Sequence, residues 1–269
     1  MKNYFLFFVF LTGLTCLSLD SHAESATTHV SELQKKDTKL INETATEDKF
    51  NGDFWVSFVD NAGNTNSLAV SADNNVLWRK NRFESQWKLG AYFYRVYSSK
   101  SQTVGTLAEY IFGTYRLDYY FQPRATFYLG GGGYSDKITG IDAAGKGFAG
   151  FTYLVINQQK TKVRLEAGYD YTFEDRITPN ANVSVHSLAT GINATHDLNE
   201  HVSFYDNLES QQNVMTAADF RLQNELGVKS KLTKIVSIKA SHKLRFDNQP
   251  VLGFGKIDSI TDIAFGLVF

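Results

Sequence analysis

Residues Lys162 to Glu174 read KVRLEAGYDYTFE, and the two parities of this stretch carry different chemistry. Val163, Leu165, Ala167, Tyr169, Tyr171 and Phe173 form one set, and Lys162, Arg164, Glu166, Gly168, Asp170, Thr172 and Glu174 form the other. Successive side chains of a strand point to opposite faces, so this segment is a strand with one apolar and one ionic face. A helix would mix the two sets on every side. A strand apolar outside and polar inside is the repeating unit of a barrel with a wet lumen in a membrane.

The same period recurs along the chain. Ile263, Phe265, Leu267 and Phe269 alternate with Asp262, Ala264, Gly266 and Val268. Phe83, Trp87, Leu89, Ala91 and Phe93 oppose Glu84, Gln86, Lys88, Gly90 and Tyr92, and Val236, Ile238, Ala240, Leu244 and Phe246 oppose Ser237, Lys239, Ser241, Lys243 and Arg245. Twelve strands are predicted, at 51–60, 66–79, 83–96, 104–121, 124–135, 145–157, 161–174, 184–197, 200–211, 216–230, 233–246 and 257–269. Soluble sandwiches turn every 8 to 12 residues or so. The wider spacing here fits tilted strands that use about 10 residues to cross hydrocarbon.

Two further patterns agree. Pro123, Pro179 and Pro250 all fall between predicted strands, as expected where every backbone N–H is needed for the ladder. Connections after even strands are short (Lys80-Asn81-Arg82, Gln122-Pro123, Gln158-Gln159-Lys160, Leu198-Asn199, Lys231-Leu232), whereas 136–144, 175–183 and 247–256 are the longest of the others. Bacterial outer-membrane barrels sort their connections this way, with short turns inside and long loops outside. An even strand count places both termini on the periplasmic side. The expected fold is therefore all-β, a transmembrane antiparallel up-and-down β-barrel of twelve strands over residues 50–269.

Composition narrows the function classes. The 269 residues carry 27 basic and 28 acidic side chains, a net charge of −1, with 3 Pro, 1 Cys and 20 Gly. No basic surplus exists to neutralise nucleic-acid phosphates. A mean hydropathy of −0.26 excludes a helical membrane protein but not a barrel, in which every second residue faces a polar lumen.

The N-terminus reads as an export signal over residues 1–23. Lys2 precedes the apolar run Tyr4 to Leu19, which is shorter than the roughly 20 residues of a spanning helix, and Ser21-His22-Ala23 offers small residues for cleavage after Ala23. Cys16 raises a lipoprotein alternative, but Gly13-Leu14-Thr15 lacks an apolar residue three positions before it. If the signal leaves with Cys16, neither a disulfide nor thiol chemistry is available. Residues 24–49 are polar and mixed in charge, and are expected to form a flexible periplasmic lead-in. The implied address is the outer membrane of a Gram-negative bacterium.

Several stretches together resemble the salt-induced outer-membrane protein family, a group defined as a domain of unknown function. They are Phe54-Trp55 followed by Asn61-Ala62-Gly63-Asn64-Thr65-Asn66, then Leu165-Glu166-Ala167-Gly168-Tyr169, Asp206-Asn207-Leu208-Glu209, and Asp247-Asn248-Gln249-Pro250 through Lys256-Ile257-Asp258 to Phe269. A Gly often found in the family's first strand is replaced within Val56-Ser57-Phe58. The resemblance implies an outer-membrane barrel and a link to salt or osmotic response. It brings no catalytic residues.

Candidate sites are few. Gly140-x4-Gly145-Lys146 resembles a phosphate-binding loop, but Gly147 stands where the magnesium-holding hydroxyl belongs, and the context is a loop between strands. Gly130-Gly131-Gly132-Gly133 lies within a strand, where glycines permit curvature or close packing of a ring such as Tyr134. Ser184 and His186 share one face and could form a nucleophile–base pair of a lipid-modifying barrel enzyme, although Asn193 on the other parity cannot orient the imidazole. His196, Asp197 and His201 lack further ligands of suitable spacing for a metal. Asp60, Asn61, Asn64 and Asn66 read as a polar hairpin or a weak calcium site.

The ionic parity sends Glu84, Lys88, Arg116, Asp118, Lys162, Arg164, Glu166, Asp170, Glu174, Arg221, Glu225, Lys229, Lys239, Lys243, Arg245, Asp258 and Asp262 inward. Nine are basic and eight acidic, so the lumen is nearly balanced; a strongly selective pore would carry an excess of one sign. Lys239, Lys243 and Arg245 share one strand and could favour anions locally. Ile263, Phe265, Leu267 and Phe269 form a C-terminal insertion signal for the barrel-insertion machinery. The expected protein is non-enzymatic and needs no cofactor or metal. It has outer-membrane lipid and the insertion machinery as partners and no nucleic acid, and its oligomeric state is left open. The leading expectation is a narrow passive pore for ions or small solutes. The alternatives are a lipid-modifying barrel enzyme and a plugged structural barrel with binding loops.

Overall fold

The computed structural model describes residues 49–61, 65–98, 104–137, 139–177, 182–252 and 254–269. The export signal, nearly all of the lead-in segment, Gly63-Asn64 of the first hairpin and Pro179 lie outside the described residues. All twelve predicted strands are present: β1 (Lys49–Asn61), β2 (Thr65–Lys80), β3 (Phe83–Ser98), β4 (Val104–Gln122), β5 (Ala125–Asp136), β6 (Ile141–Asn157), β7 (Thr161–Arg176), β8 (Asn182–Asp197), β9 (Val202–Asn213), β10 (Phe220–Lys231), β11 (Val236–Asp247) and β12 (Ile257–Val268).

Each strand pairs antiparallel with its sequence neighbours, and β12 returns to β1, so the sheet closes into one barrel. Closure leaves no sheet edge, the condition for a β structure to survive in lipid. At the seam Phe54 pairs with Leu267 and Val56 with Phe265. Beyond that ladder, Gly52 N donates to Phe269 O at 2.8 Å and Phe269 N donates to Gly52 O at 2.9 Å.

Side-chain burial follows the period of two. On β7, Leu165, Tyr169, Tyr171 and Phe173 are exposed on the outside, whereas Lys162, Asp170, Thr172 and Glu174 are buried. The inversion of a soluble protein's pattern follows from the solvent each face meets.

Inward rings lie over glycines. A Cβ on Gly266 would sit 2.4 Å from Cε3 of Trp55, one on Gly227 2.5 Å from Cζ of Tyr205, and one on Gly150 2.6 Å from the Tyr128 hydroxyl. Gly130 of the four-glycine run makes room for Phe148. The run therefore serves close packing of rings against the wall, with no left-handed residue among its members. Gly140 has a positive φ of 85°, which the β5–β6 turn requires.

The structure shortens one predicted loop. β6 begins at Ile141 instead of 145, so the connection is 137–140 instead of 136–144. Ala144 pairs with Tyr134 and Glu174, which extends the ladder through residues too small to show an alternating pattern. β10 begins later than expected, at Phe220. The connections on the side of the termini span 81–82, 123–124, 158–160, 198–201 and 232–235, and the opposite end carries the longest, 248–256. These are the turn end and the loop end below.

Candidate functional site

The lumen is the concentration of charge in the molecule, and its side chains form three tiers. At the turn end, Arg79 on β2 grips Glu84 on β3, with Arg79 Nε donating to Glu84 Oε2 at 2.8 Å and the Tyr120 hydroxyl donating to the same oxygen at 3.0 Å. The Arg79 guanidinium also stacks 4.6 Å from the centre of the Tyr120 ring. Above this pair, Trp55 is fully buried on Gly266. Lys229 and Lys239 hold their ammonium groups 4.7 Å and 5.1 Å from its ring. Cation–π contact lets two lysines share a small space that would otherwise force them apart.

Arg116 on β4 organises the middle tier. Its fork meets Asp118 through Nε and Nη2, both at 2.8 Å, and Thr152 at 3.0 Å. Nη1 donates to Glu166 Oε2 on β7 at 2.9 Å. The guanidinium lies 3.9 Å over the Tyr128 ring. Lys146 reaches Asp170 at 2.8 Å, and Gln211 on β9 donates to the same carboxylate at 3.2 Å. A planar bidentate guanidinium suits this crossing better than an ammonium would.

At the loop end, Glu174 is fully buried and accepts from three directions. Arg221 on β10 donates at 2.6 Å, Arg176 at 2.7 Å and the Tyr134 hydroxyl at 3.3 Å. Arg245 on β11 donates to Asp136 on β5 at 3.2 Å. The 248–256 loop turns over this tier: Val251 is buried, and Phe254 packs where a Cβ on Gly140 would sit.

Between the middle and loop tiers lies a cavity of about 270 Å³. Its β4–β6 wall presents Tyr110, Phe112, Tyr128, Tyr134 and Phe148, and its β7–β11 wall presents Glu166, Asp170, Glu174, Glu209, Arg221 and Arg245. Most of the rings lie on the first wall, where Arg116, Asp136 and Lys146 also reach the cavity, so charge enters it from both sides. Tyr110 and Phe112 stack with ring centres 5.2 Å apart.

Of the residues singled out from the sequence, Lys162, Asp170, Glu174, Glu225, Lys229 and Lys239 are buried within the barrel. Arg164, Glu166, Arg221, Lys243 and Arg245 are partly buried on the same parity of their strands. Glu225 accepts from the Tyr205 hydroxyl at 2.8 Å. Lys239, Lys243 and Arg245 share β11, and Asp136 faces Arg245 from the other side of the bore. Ile263, Phe265, Leu267 and Phe269 are exposed on the outside.

Sequence reasoning missed Asp53, Asp73, Arg79, Asp136, Lys146, Arg176 and Glu209. The parity rule would have found Arg79 beside outward Trp78. Asp136 was hidden by the misplaced loop, Lys146 by the glycines on either side of it, and inward Trp55 disguised Asp53.

The other candidates do not assemble into sites. Ser184 and His186 share the outer face, but Ser184 pairs with the Tyr171 hydroxyl at 3.3 Å and His186 Nδ1 with the Tyr169 hydroxyl. His196 Nδ1 bonds Thr161 at 2.9 Å, and no three metal-ligating side chains converge among the described residues. Lys146, read as part of a phosphate loop, lies on β6 and is salted to Asp170.

Comparison with known proteins fits this geometry. A family model described as "Protein of unknown function, DUF481" matches residues 54–269. Among solved structures, the NanC porin aligns with a TM-score of 0.50 at 8% identity, over 81% of this chain and 98% of its own. An outer-membrane channel from Pseudomonas putida F1 aligns with a TM-score of 0.49 at 12% identity, over 85% and 98%. At these identities the likeness is one of fold. No curated protein sequence matches the chain.

Proposed function

The chain belongs to the family described as Protein of unknown function, DUF481, and on that premise we propose that it is a non-enzymatic outer-membrane barrel acting as a narrow passive pore for ions or small solutes. The observation that carries the reading is the cavity of about 270 Å³ inside a closed, charge-lined barrel. That volume lies just under the roughly 300 Å³ at which drug-sized pockets begin. Acids and bases are paired across the bore, so weak ion selectivity and tolerance of uncharged polar solutes are expected. The outward belt of Phe, Tyr, Leu and Ile supports residence in a bilayer. Short connections beside both termini support a periplasmic location for that end. The resemblance to salt-induced proteins adds a role in salt or osmotic response to the proposal.

One observation favours a second reading, a plugged barrel: the 248–256 loop bends over the mouth with Val251 buried and Phe254 against Gly140. Planar-bilayer recording separates the two. The pore gives small, reproducible, weakly selective current steps. A folded, inserted barrel that gives no steps at any voltage contradicts it and leaves the plugged reading.

A further inference from the structure

The exterior of the barrel is not uniform. Along β3 to β7 the outward side chains near mid-strand are apolar and exposed, among them Leu89, Tyr115, Leu129, Phe151 and Leu165. On β9 to β12 a polar band interrupts the belt. Asp206 lies between Phe204 and Leu208, Asn224 between Leu222 and Leu226, and His242 between Ala240 and Leu244, all on outward parities. Thr261 follows on β12, exposed beside Ile263.

Register joins them into one patch. Leu226 pairs with Asp206 on one side and with His242 on the other, and His242 pairs with Thr261. Asn224 Nδ2 donates to Asp206 Oδ1 at 2.6 Å, and His242 Nδ1 bonds Thr261 Oγ1 at 2.8 Å. These bonds occupy one carboxylate oxygen and one ring nitrogen. Asp206 Oδ2 and His242 Nε2 keep capacity for a second partner.

Acyl chains offer no such partner. A carboxylate and an imidazole facing hydrocarbon are costly, and polar side chains at that depth sit against protein or water. We infer that the outer face of β9–β12 binds a second copy of this chain, with Asp206 of each copy meeting His242 of the other. The patch carries a carboxylate on β9 and an imidazole on β11, with Leu226 of β10 between them. A two-fold axis along the membrane normal, passing beside β10, which lies between β9 and β11, sets Asp206 of each copy against His242 of the other, which is the self-complementarity an isologous dimer requires. The inference rests on the membrane location proposed above and does not depend on conduction.

The test is native mass spectrometry of the folded barrel in mild detergent, together with cross-linking after insertion into phosphatidylcholine vesicles. The wild type is expected to be dimeric. Asp206→His and His242→Asp should each weaken the dimer at least about tenfold, and the double swap should restore it. Leu89→Asn, on the opposite side, should leave it unchanged. A folded wild type that stays monomeric in vesicles, with or without bound lipopolysaccharide, overturns the inference alone. So does a dimer indifferent to both single changes. Failure of the barrel to enter vesicles overturns the membrane reading as well.

Discussion

Arg245 Nη1 donates to Asp136 Oδ2 at 3.2 Å, joining β11 to β5 across the bore. The two strands are six apart in a ring of twelve, so the bond spans the barrel from one side to the other. Asp136 is fully buried and Arg245 largely so. Removing either partner leaves the other without this contact inside a confined space. Asp136→Ala or Arg245→Ala is expected to cost on the order of 2–4 kcal/mol in urea unfolding and to raise single-channel conductance, because a crossing pair no longer occludes the mouth. An unchanged conductance would place the constriction elsewhere.

Trp55 and Gly266 make a second test, of packing. A Cβ at position 266 would lie 2.4 Å from the indole, so the ring must move off the two lysines that flank it. Gly266→Ala should destabilise by about 1–3 kcal/mol, the usual cost of overpacking, seen as a lower unfolding midpoint. Gly145→Ala, where nothing lies within 4 Å of the new methyl, should leave the midpoint nearly unchanged.

Phe254 fixes the 248–256 loop by packing on Gly140, where its ring occupies the space that a Cβ would take. Phe254→Ala should free the loop. Amide exchange at residues 248–256 is expected to quicken, with exchange in the β7 ladder unaffected. Equal protection in both proteins would mean that Val251 and the backbone bonds hold the loop without the ring.

Phe269 closes the seam through its backbone to Gly52, and its ring lies over the same glycine. Deleting Phe269 should remove two backbone bonds of the seam and the apolar residue that follows β12. Assembly in the outer membrane should fall severalfold, measured by the heat-modifiable band on gels, while refolding in detergent is affected less. Equal losses in both settings would assign Phe269 to stability alone.

Most of the architecture was readable from alternation, because a barrel wall meets lipid on one side and water on the other and each side selects its own residues. Residues 162–174 of β7 showed this most plainly. Alternation is blurred where side chains are small or inverted. At Ile141-Asp142-Ala143-Ala144 two small side chains give little contrast between the faces, so alternation starts β6 four residues late, at 145 instead of Ile141. Trp55 put a large ring on the polar parity, because its partners Lys229, Lys239 and Gly266 are remote in sequence and close only once the sheet closes. Parity tells which charges enter the lumen, but not which of them meet. Arg116 with Glu166 and Arg245 with Asp136 depend on curvature and register that no local pattern encodes.

The central claim is that side chains, and not backbone, narrow the passage, and the Arg116–Glu166 crossing tests it most directly. Single-channel currents of the wild type and of the Arg116→Ala, Glu166→Ala double variant should be compared in the same bilayer. The account predicts small steps in the first and clearly larger steps in the second, with weak selectivity in both. Identical steps, or silence from both folded proteins, would contradict it.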